Sequence, residues 1–157
     1  MDGITVEAAQ RATDEVRDLI DELDRTLAGD YLPEQQHGLP LEAIFQPHIR
    51  FFIARLDGVA VGCGGVALFA TFGEVKRMYV RANARRRGIA RALLSRIESE
   101  MKNSGLEVLR LETGEQQLAA LRFYERSGFR RRDAFGEYAA MTPQAIATSI
   151  FYEKRLL

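Results

Sequence analysis

A basic turn that contains one glycine constrains this chain more than any other feature. The turn, residues 85–90 (RRRGIA), follows a run of strand-forming residues and precedes an amphipathic segment that extends to about Ser104. The first N–H groups of a helix have no partner inside the helix, and their dipole end carries about half a positive charge. Gly88 has no Cβ, which lets a ligand approach the backbone closely. The turn is therefore predicted to bind a phosphate group at a helix N-terminus.

Two blocks of the sequence resemble a known family. Residues 85–90 carry the pattern Arg-x-x-Gly-x-Ala, which resembles the pyrophosphate-binding motif of the GNAT superfamily, the acyl-CoA-dependent N-acetyltransferases. Residues 120–129 (ALRFYERSGF) resemble the second signature of that family, and the spacing between the blocks also fits. The resemblance implies a single N-acetyltransferase domain over residues 1–157. It also implies an α/β fold whose mixed, mostly antiparallel central sheet is flanked by helices, with strands 4 and 5 splayed apart.

The resemblance further implies a co-substrate and the residues that bind it. Acetyl-CoA would lie along the fourth strand and the loop after it, without a metal ion, and the backbone of Met78 and Val80 would pair with its pantetheine arm. Gln117 stands where many members of the family have an asparagine, and Gln116 is an alternative to it. The predicted cofactor-binding residues are Met78, Tyr79, Val80, Arg85, Arg86, Arg87, Gly88, Ile89, Ala90, Arg91, Gln117 and Tyr124.

The implied reaction is a direct transfer in a ternary complex, in which an amine attacks the thioester. Tyr124 would protonate the leaving thiolate, since a phenol with a pKa near 10 carries its proton at neutral pH. An amine with a pKa of about 10.4 must lose a proton before it attacks. Glu74 matches a glutamate that several members use as the general base. A strand-edge glutamate can equally be a salt-bridge partner, and Glu112 on the fifth strand is the alternative base.

Charge is unevenly distributed along the chain, although the formal net charge is zero. Residues 1–75 carry 5 basic and 13 acidic side chains, a net of −8, whereas residues 76–132 carry 15 basic and 6 acidic side chains, a net of +9. The basic half suits a highly anionic ligand such as coenzyme A, and its charge alone would also suit nucleic acid. We expect no nucleic acid, because the sequence matches no nucleic-acid-binding motif and no aromatic residues alternate with the arginines.

The acceptor is the part of the reaction that the sequence determines least. The acidic first half weakly favours a cationic amine. A small-molecule amine is favoured over a protein lysine by base rate alone, and a protein or peptide acceptor, a non-catalytic acyl-CoA-binding sensor and a homodimer are left open. The family shapes its acceptor pocket from segments that correspond here to residues 31–45 and 133–149. These segments contain Tyr31, Glu34, His37, Phe45, Glu137 and Tyr138.

Other classes of protein and site fit the sequence poorly. No apolar run approaches the roughly 18 residues of a membrane span, and the N-terminus does not resemble a secretory signal. With one cysteine, Cys63, no internal disulfide can form, so we expect a cytoplasmic protein without a membrane partner. His37 and His48 lack metal-ligand spacing. Residues 62–67 match a dinucleotide fingerprint, but strand-forming residues rather than a helix follow them, so we interpret its glycines as packing or bulge positions and Cys63 as a buried hydrophobe.

Hydrophobic periodicity predicts the order of helices and strands. Thr13 is a predicted helix N-cap, and the acidic residues of the helix that follows are predicted to form a solvated face. Helices are predicted over residues 14–27, 41–45, 88–104 and 117–127, and strands over residues 4–8, 49–56, 59–68, 72–80, 108–113, 129–135 and 148–156.

Overall fold

Seven strands and three α-helices make up the part of the chain that the computed structural model describes, residues 3–156. The strands are β1 (Ile4–Ala8), β2 (Ile49–Leu56), β3 (Val59–Leu68), β4 (Gly73–Val80), β5 (Val108–Gly114), β6 (Arg130–Arg132) and β7 (Ser149–Arg155). The helices are α1 (Asp14–Ala28), α2 (Ile89–Asn103) and α3 (Leu118–Arg126). Each predicted strand is present, although the one predicted over residues 129–135 is shorter.

Short 3₁₀ helices account for the remaining differences from the predicted elements. The segment over residues 41–45 forms a 3₁₀ turn at Leu41–Ala43 rather than an α-helix. Three further 3₁₀ segments, which the periodicity does not predict, lie at Pro33–Gln35, Ala82–Ala84 and Gly136–Ala140. Such short segments carry too few residues for a repeating apolar pattern to develop, so they escape a search for periodicity.

All seven strands belong to one sheet with the order β1-β2-β3-β4-β5-β7-β6. Neighbouring strands are antiparallel except for β4 and β5, which run parallel. These two strands pair at Gly73 with Leu109 and at Glu74 with Arg110, and beyond this point they separate. The mixed sheet with splayed fourth and fifth strands confirms the predicted fold class. The separation leaves a wedge that is open toward the C-terminal ends of both strands.

Helices cover both faces of the sheet. On one face, α2 buries a stripe of apolar side chains against β1, β2, β3 and β4, namely Ile89, Leu93, Ile97 and Met101. On the other face, α1 buries Val16, Leu19 and Ile20 against Phe51 and Ile53 of β2. Thr13 caps α1 as predicted, because its Oγ1 accepts a hydrogen bond of 3.3 Å from the Val16 N–H.

A bulge in β4 lies next to the wedge. Gly65 of β3 pairs with Lys76, but Cys63, two residues earlier on β3, pairs with Tyr79, so β4 contains one extra residue. Arg77 at the bulge has a φ of 56°, in the left-handed region that few non-glycine residues occupy. A Cβ on Gly64 would lie 3.0 Å from the Met78 sulfur. Since β3 leads directly to β4, the interpretation of its glycines as packing and bulge positions is confirmed.

The acidic face of α1 is solvated as predicted at Glu15 and Asp24, whose side chains are 47% and 53% exposed, whereas Glu22 is 26% exposed. All three carboxylates also form ion pairs. Each of them pairs with an arginine that lies on or next to the sheet, and Glu22 also accepts a hydrogen bond from the Tyr79 hydroxyl. The pairs are Glu15 with Arg55, Glu22 with Arg81 and Asp24 with Arg77. Much of the acidic charge of the first half is therefore already balanced within the protein and tethers α1 to the sheet.

Candidate active site

A cleft of about 920 Å³ occupies the wedge between β4 and β5. Its walls come from β4, the loop between β4 and α2, the end of β5, the first turns of α3 and the segment that follows α1. Of the predicted cofactor-binding residues, the cleft brings together Met78, Tyr79, Val80, Arg85, Arg86, Gly88, Ile89, Ala90, Arg91, Gln117 and Tyr124. Arg87 is exposed and is absent from the residues that line the cleft.

The loop before α2 has an unusual backbone conformation. Arg86 and Gly88 both have left-handed backbones, with φ values of 65° and 85°. Gly88 is the N-cap of α2, and a Cβ added to it would lie 3.9 Å from the nearest side chain, that of Ile4. The left-handed backbone therefore gives Gly88 a conformational role in addition to the predicted close approach of a ligand. A strained non-glycine residue such as Arg86 is typical of loops whose shape serves a function.

The end of β4 directs a backbone donor into the wedge. The N–H of Arg81 donates to the Val61 carbonyl of β3 at 2.8 Å. Since successive N–H groups of a strand point to opposite edges, the N–H of Val80 points away from β3, toward β5. The Val80 carbonyl accepts a hydrogen bond of 3.3 Å from Arg85 Nε, which holds the start of the predicted phosphate-binding turn against the strand.

Tyr124 lies at the inner end of the cleft, on α3. Its ring is 5% exposed and packs against Phe129 and Tyr152, with centroid distances of 5.4 and 6.3 Å. Burial raises the pKa of the Tyr124 phenol above its ordinary value near 10, because the phenolate would lose solvation there. The hydroxyl therefore keeps its proton at neutral pH.

Glu74 belongs to a buried polar triad on the opposite face of the sheet from Tyr124. Its carboxylate lies 3.0 Å from the Lys76 ammonium and accepts a hydrogen bond of 2.6 Å from the Tyr138 hydroxyl. Lys76 also donates to the Tyr138 oxygen at 3.1 Å. Glu74 is thus the salt-bridge partner that the sequence leaves open as an alternative. The i, i+2 spacing of Glu74 and Lys76, which puts both side chains on one face of a strand, is a signal that the sequence analysis missed.

A second carboxylate lies across the wedge on β5. Glu112 accepts a hydrogen bond of 2.7 Å from the Ser149 hydroxyl of β7. Burial raises the pKa of Glu112 and outweighs the opposite effects of that hydrogen bond and of His37 and Lys76 nearby. Glu112 therefore takes up a proton more readily than an exposed glutamate does.

Residues 30–38 cross the cleft, and we call this segment the strap. The Tyr31 hydroxyl accepts a hydrogen bond of 2.9 Å from the Gln116 N–H and fills the space that a side chain at Gly114 would need. Further along the strap, His37 Nε2 lies 2.7 Å from the Ala145 carbonyl. Because a carbonyl only accepts hydrogen bonds, Nε2 carries a proton and donates it to Ala145.

The strap also binds the Gln117 side chain. Gln117 Nε2 donates to Asp30 Oδ2 at 3.2 Å. The predicted contact of Gln117 with the cofactor would therefore require Gln117 to bind both partners or to release Asp30. Of the predicted acceptor-pocket residues, Tyr31, His37 and Tyr138 line the cleft. Glu34, Phe45 and Glu137 are absent from its lining.

Other candidate sites have a structural explanation or are not found in the described chain. Cys63 is buried, and burial raises the pKa of its thiol to about 12, which confirms its interpretation as a small hydrophobe. Within residues 3–156, no three His, Cys, Asp or Glu side chains are grouped as a metal site requires. No α-helix in that range is long and apolar enough to cross a membrane.

Comparison with known proteins agrees with this geometry. The sequence profile of the acetyltransferase (GNAT) family matches residues 14–129. An IAA acetyltransferase of Azospirillum brasilense is 42% identical over 158 residues, which cover 99% of this chain and 100% of that protein.

Solved structures share the fold. A GNAT-family acetyltransferase of Staphylococcus aureus superimposes with a TM-score of 0.79 at 20% identity, over 98% of this chain and 99% of that one. A GNAT-family acetyltransferase of Elizabethkingia anophelis with acetyl-CoA bound gives a TM-score of 0.68 at 19% identity, over 99% and 100%. The family profile and the relative from Azospirillum both cover most of the chain, and this protein accordingly belongs to the GNAT family and is an acyltransferase enzyme.

Proposed function

We propose that the protein transfers the acetyl group of acetyl-CoA to a primary amine of a small molecule, by direct attack within a ternary complex. The observation that carries the proposal is the wedge itself. The cleft is lined by the N-terminal residues of α2, which suit a diphosphate, and by one buried phenol and two carboxylates, those of Tyr124, Glu74 and Glu112. The relative named an IAA acetyltransferase supports a small-molecule acceptor, and the acetyl-CoA-bound structure from Elizabethkingia supports acetyl-CoA as the co-substrate.

The cofactor would be held mainly by backbone groups. N–H groups of residues 86–90 would bind the diphosphate, and Arg85, Arg86 and Arg91 would add positive charge around it. Met78 and Val80 would pair with the pantetheine amides. The N–H of Val80, which points into the wedge, would also polarise the thioester carbonyl as the tetrahedral intermediate forms.

Tyr124 would complete the transfer by protonating sulfur. The nitrogen of the amine attacks the thioester carbon, and the carbon–sulfur bond breaks as the tetrahedral intermediate collapses. The departing thiolate takes the phenolic proton, and Tyr124 is then protonated again from the solvent. The buried and protonated phenol suits this role, because a general acid must hold its proton until the leaving group develops charge.

The strap favours a small acceptor over a protein lysine. Its contacts with Gln116 and Ala145 place residues 30–38 across the acceptor end of the cleft, which would obstruct an extended peptide. The acidic first half of the chain is weak support for a cationic acceptor. Three carboxylates of α1 are paired with arginines, so their charge is already balanced within the protein.

An acetylation screen tests the proposal. The wild-type protein would be incubated with acetyl-CoA and one member of a panel of aromatic amines, polyamines, amino sugars, amino acids and a lysine-containing peptide. We expect release of free thiol together with a mass increase of one acetyl group in a small amine. Acetyl-CoA binding in calorimetry without turnover of any amine would instead indicate a non-catalytic sensor, and transfer to the peptide alone would indicate a protein acceptor.

A further inference from the structure

We propose that Glu112, rather than Glu74, accepts the proton of the attacking amine; this inference rests on the proposed function and identifies the base of that reaction. Its first support is the position of Glu112 on the wedge. The last paired residues of the two parallel strands are Glu74 and Arg110. Two residues beyond Arg110, Glu112 is at the point where β5 leaves β4, and its side chain lines the cleft.

Glu112 also lies on the correct face of the sheet for the acceptor. Arg110 stacks over Phe72 at 4.6 Å, in the aromatic cluster that contains Tyr138. Glu112, two residues later on the strand, shares that face. The neighbouring Leu111 points to the opposite face and packs in the core that contains Tyr124. Proton removal from the amine and proton donation to sulfur would thus occur from opposite sides of the wedge.

Glu74 is poorly available for the same step. Its carboxylate already binds the Lys76 ammonium at 3.0 Å and the Tyr138 hydroxyl at 2.6 Å. Protonation of Glu74 would leave the Lys76 cation, 9% exposed at its side chain, without its buried counter-ion. The Glu74 carboxylate is therefore already committed to two buried partners within the protein.

Among the residues that the structure describes, no cationic side chain forms an ion pair with Glu112. Its hydrogen-bond donor is the neutral Ser149 hydroxyl at 2.7 Å. The charged or titratable groups around it are His37 from the strap, Lys76 and Glu74 from β4, and Tyr138 from the 3₁₀ segment at Gly136–Ala140. The net effect of these surroundings is a raised pKa, which strengthens Glu112 as a base relative to an exposed glutamate.

The proton balance of the step is complete. The acceptor enters as an ammonium ion and gives one proton to the Glu112 carboxylate, directly or through one water molecule. The neutral nitrogen then forms the new carbon–nitrogen bond. Of the two protons that nitrogen loses overall, one is released to the solvent from Glu112. The other passes from the nitrogen of the tetrahedral intermediate to water, and it offsets the proton that Tyr124 takes back from the solvent after protonating the coenzyme A sulfur.

The first test needs no acceptor. Wild-type protein with ¹³C-labelled glutamate carboxyl groups would be titrated by NMR, and the Glu112 signal would be identified by its loss in Glu112→Gln. We expect this signal to titrate clearly above the ordinary glutamate value of about 4.3. A midpoint at or below that value would overturn the proposal. Because no turnover is involved, this result is separate from any failure of the acetyltransferase assignment.

The second test compares pH–rate profiles with the amine that reacts fastest in the acetylation screen. Glu112→Gln should lower kcat/KM near pH 7 by about 10²-fold or more. The deficit should shrink toward pH 9, where more of the amine is already neutral, while the Kd of acetyl-CoA stays unchanged. A double variant, Glu74→Gln with Lys76→Met, removes both charges of the buried pair and is the matched control.

The double variant should keep the acidic limb of the wild-type profile. A deficit of the double variant that is largest near pH 7 and shrinks toward pH 9, together with a wild-type profile for Glu112→Gln, would assign the base to Glu74 and overturn the proposal. A uniform deficit of Glu112→Gln from pH 7 to pH 9 would also overturn it, since such a deficit indicates a positioning role. If wild-type protein acetylates no amine of the panel, the proposed function fails and the NMR titration alone decides the protonation of Glu112.

Discussion

The Glu74 carboxylate and the Lys76 ammonium lie 3.0 Å apart on one strand, with side chains 5% and 9% exposed. Glu74→Gln would leave a buried cation without its counter-ion. We expect the free energy of unfolding to fall by about 3 to 5 kcal/mol, as when one partner of a buried pair is removed. Urea unfolding at pH 7 measures this change. Glu15→Gln is the control, since Glu15 pairs with Arg55 at the surface and should cost less than about 1 kcal/mol.

Glu112→Gln should have the opposite effect on stability at neutral pH. The raised pKa means that folding favours the protonated form, so this contribution is fully present below the unfolded-state pKa. It is lost as the pH rises through the folded-state pKa. Glutamine has no charge to bury and still accepts from Ser149. We expect the Tm of the variant minus the Tm of wild type to increase as the pH is raised from 4 to 8. A difference between the two Tm values that stays constant across that range would contradict the raised pKa.

Gly88→Glu should abolish acetyl-CoA binding in calorimetry. The substitution forces a left-handed backbone on a non-glycine residue and places a negative charge at the predicted diphosphate site. Gly105→Glu is the matched control. Gly105 also has a left-handed backbone, with a φ of 73°, and no atom lies within 4 Å of a Cβ built on it. Both variants share the conformational cost, so loss of binding in both would assign the effect to that cost. Wild-type binding by Gly88→Glu would show that the phosphate site is misplaced.

Tyr124→Phe should lower kcat by about 10²- to 10⁴-fold with little change in the Kd of acetyl-CoA, because the variant loses one proton donor and keeps the ring. Rapid-quench measurement of the chemical step tests this. Tyr152→Phe is the control, since the Tyr152 ring packs beside Tyr124 while its hydroxyl donates to Glu125 outside the cleft. Equal rates for wild type and Tyr124→Phe would exclude the phenol as the acid.

Local sequence patterns predict most of the elements that build the wedge. The α2 stripe from Ile89 to Met101 and the Thr13 cap follow from apolar spacing and capping chemistry within a few residues. Gly88 and Gly105 lie at the two ends of α2, and both have left-handed backbones. These features depend on residues that are close together in the chain, so they can be predicted from one sequence.

The features that the sequence did not predict depend on distant partners. The pairing of Asp24 with Arg77 joins residues 53 positions apart, and no local pattern selects one arginine among many. The Tyr138–Glu74 hydrogen bond joins residues 64 positions apart. The choice between Glu74 and Glu112 as the base rests on such contacts, so it could not be made before the fold was known.

The separation of β4 from β5 also has a mechanical consequence. Two residue pairs join these strands, whereas seven join β5 to β7, so the sheet is weakly paired at its centre. A ligand that hydrogen-bonds to the open edge of β4 would stabilise this part of the sheet as an additional strand would. Resistance to unfolding should then rise with ligand concentration, by about 2.7 kcal/mol at one hundred times the Kd. The co-substrate would then be a structural component of the sheet for as long as it is bound.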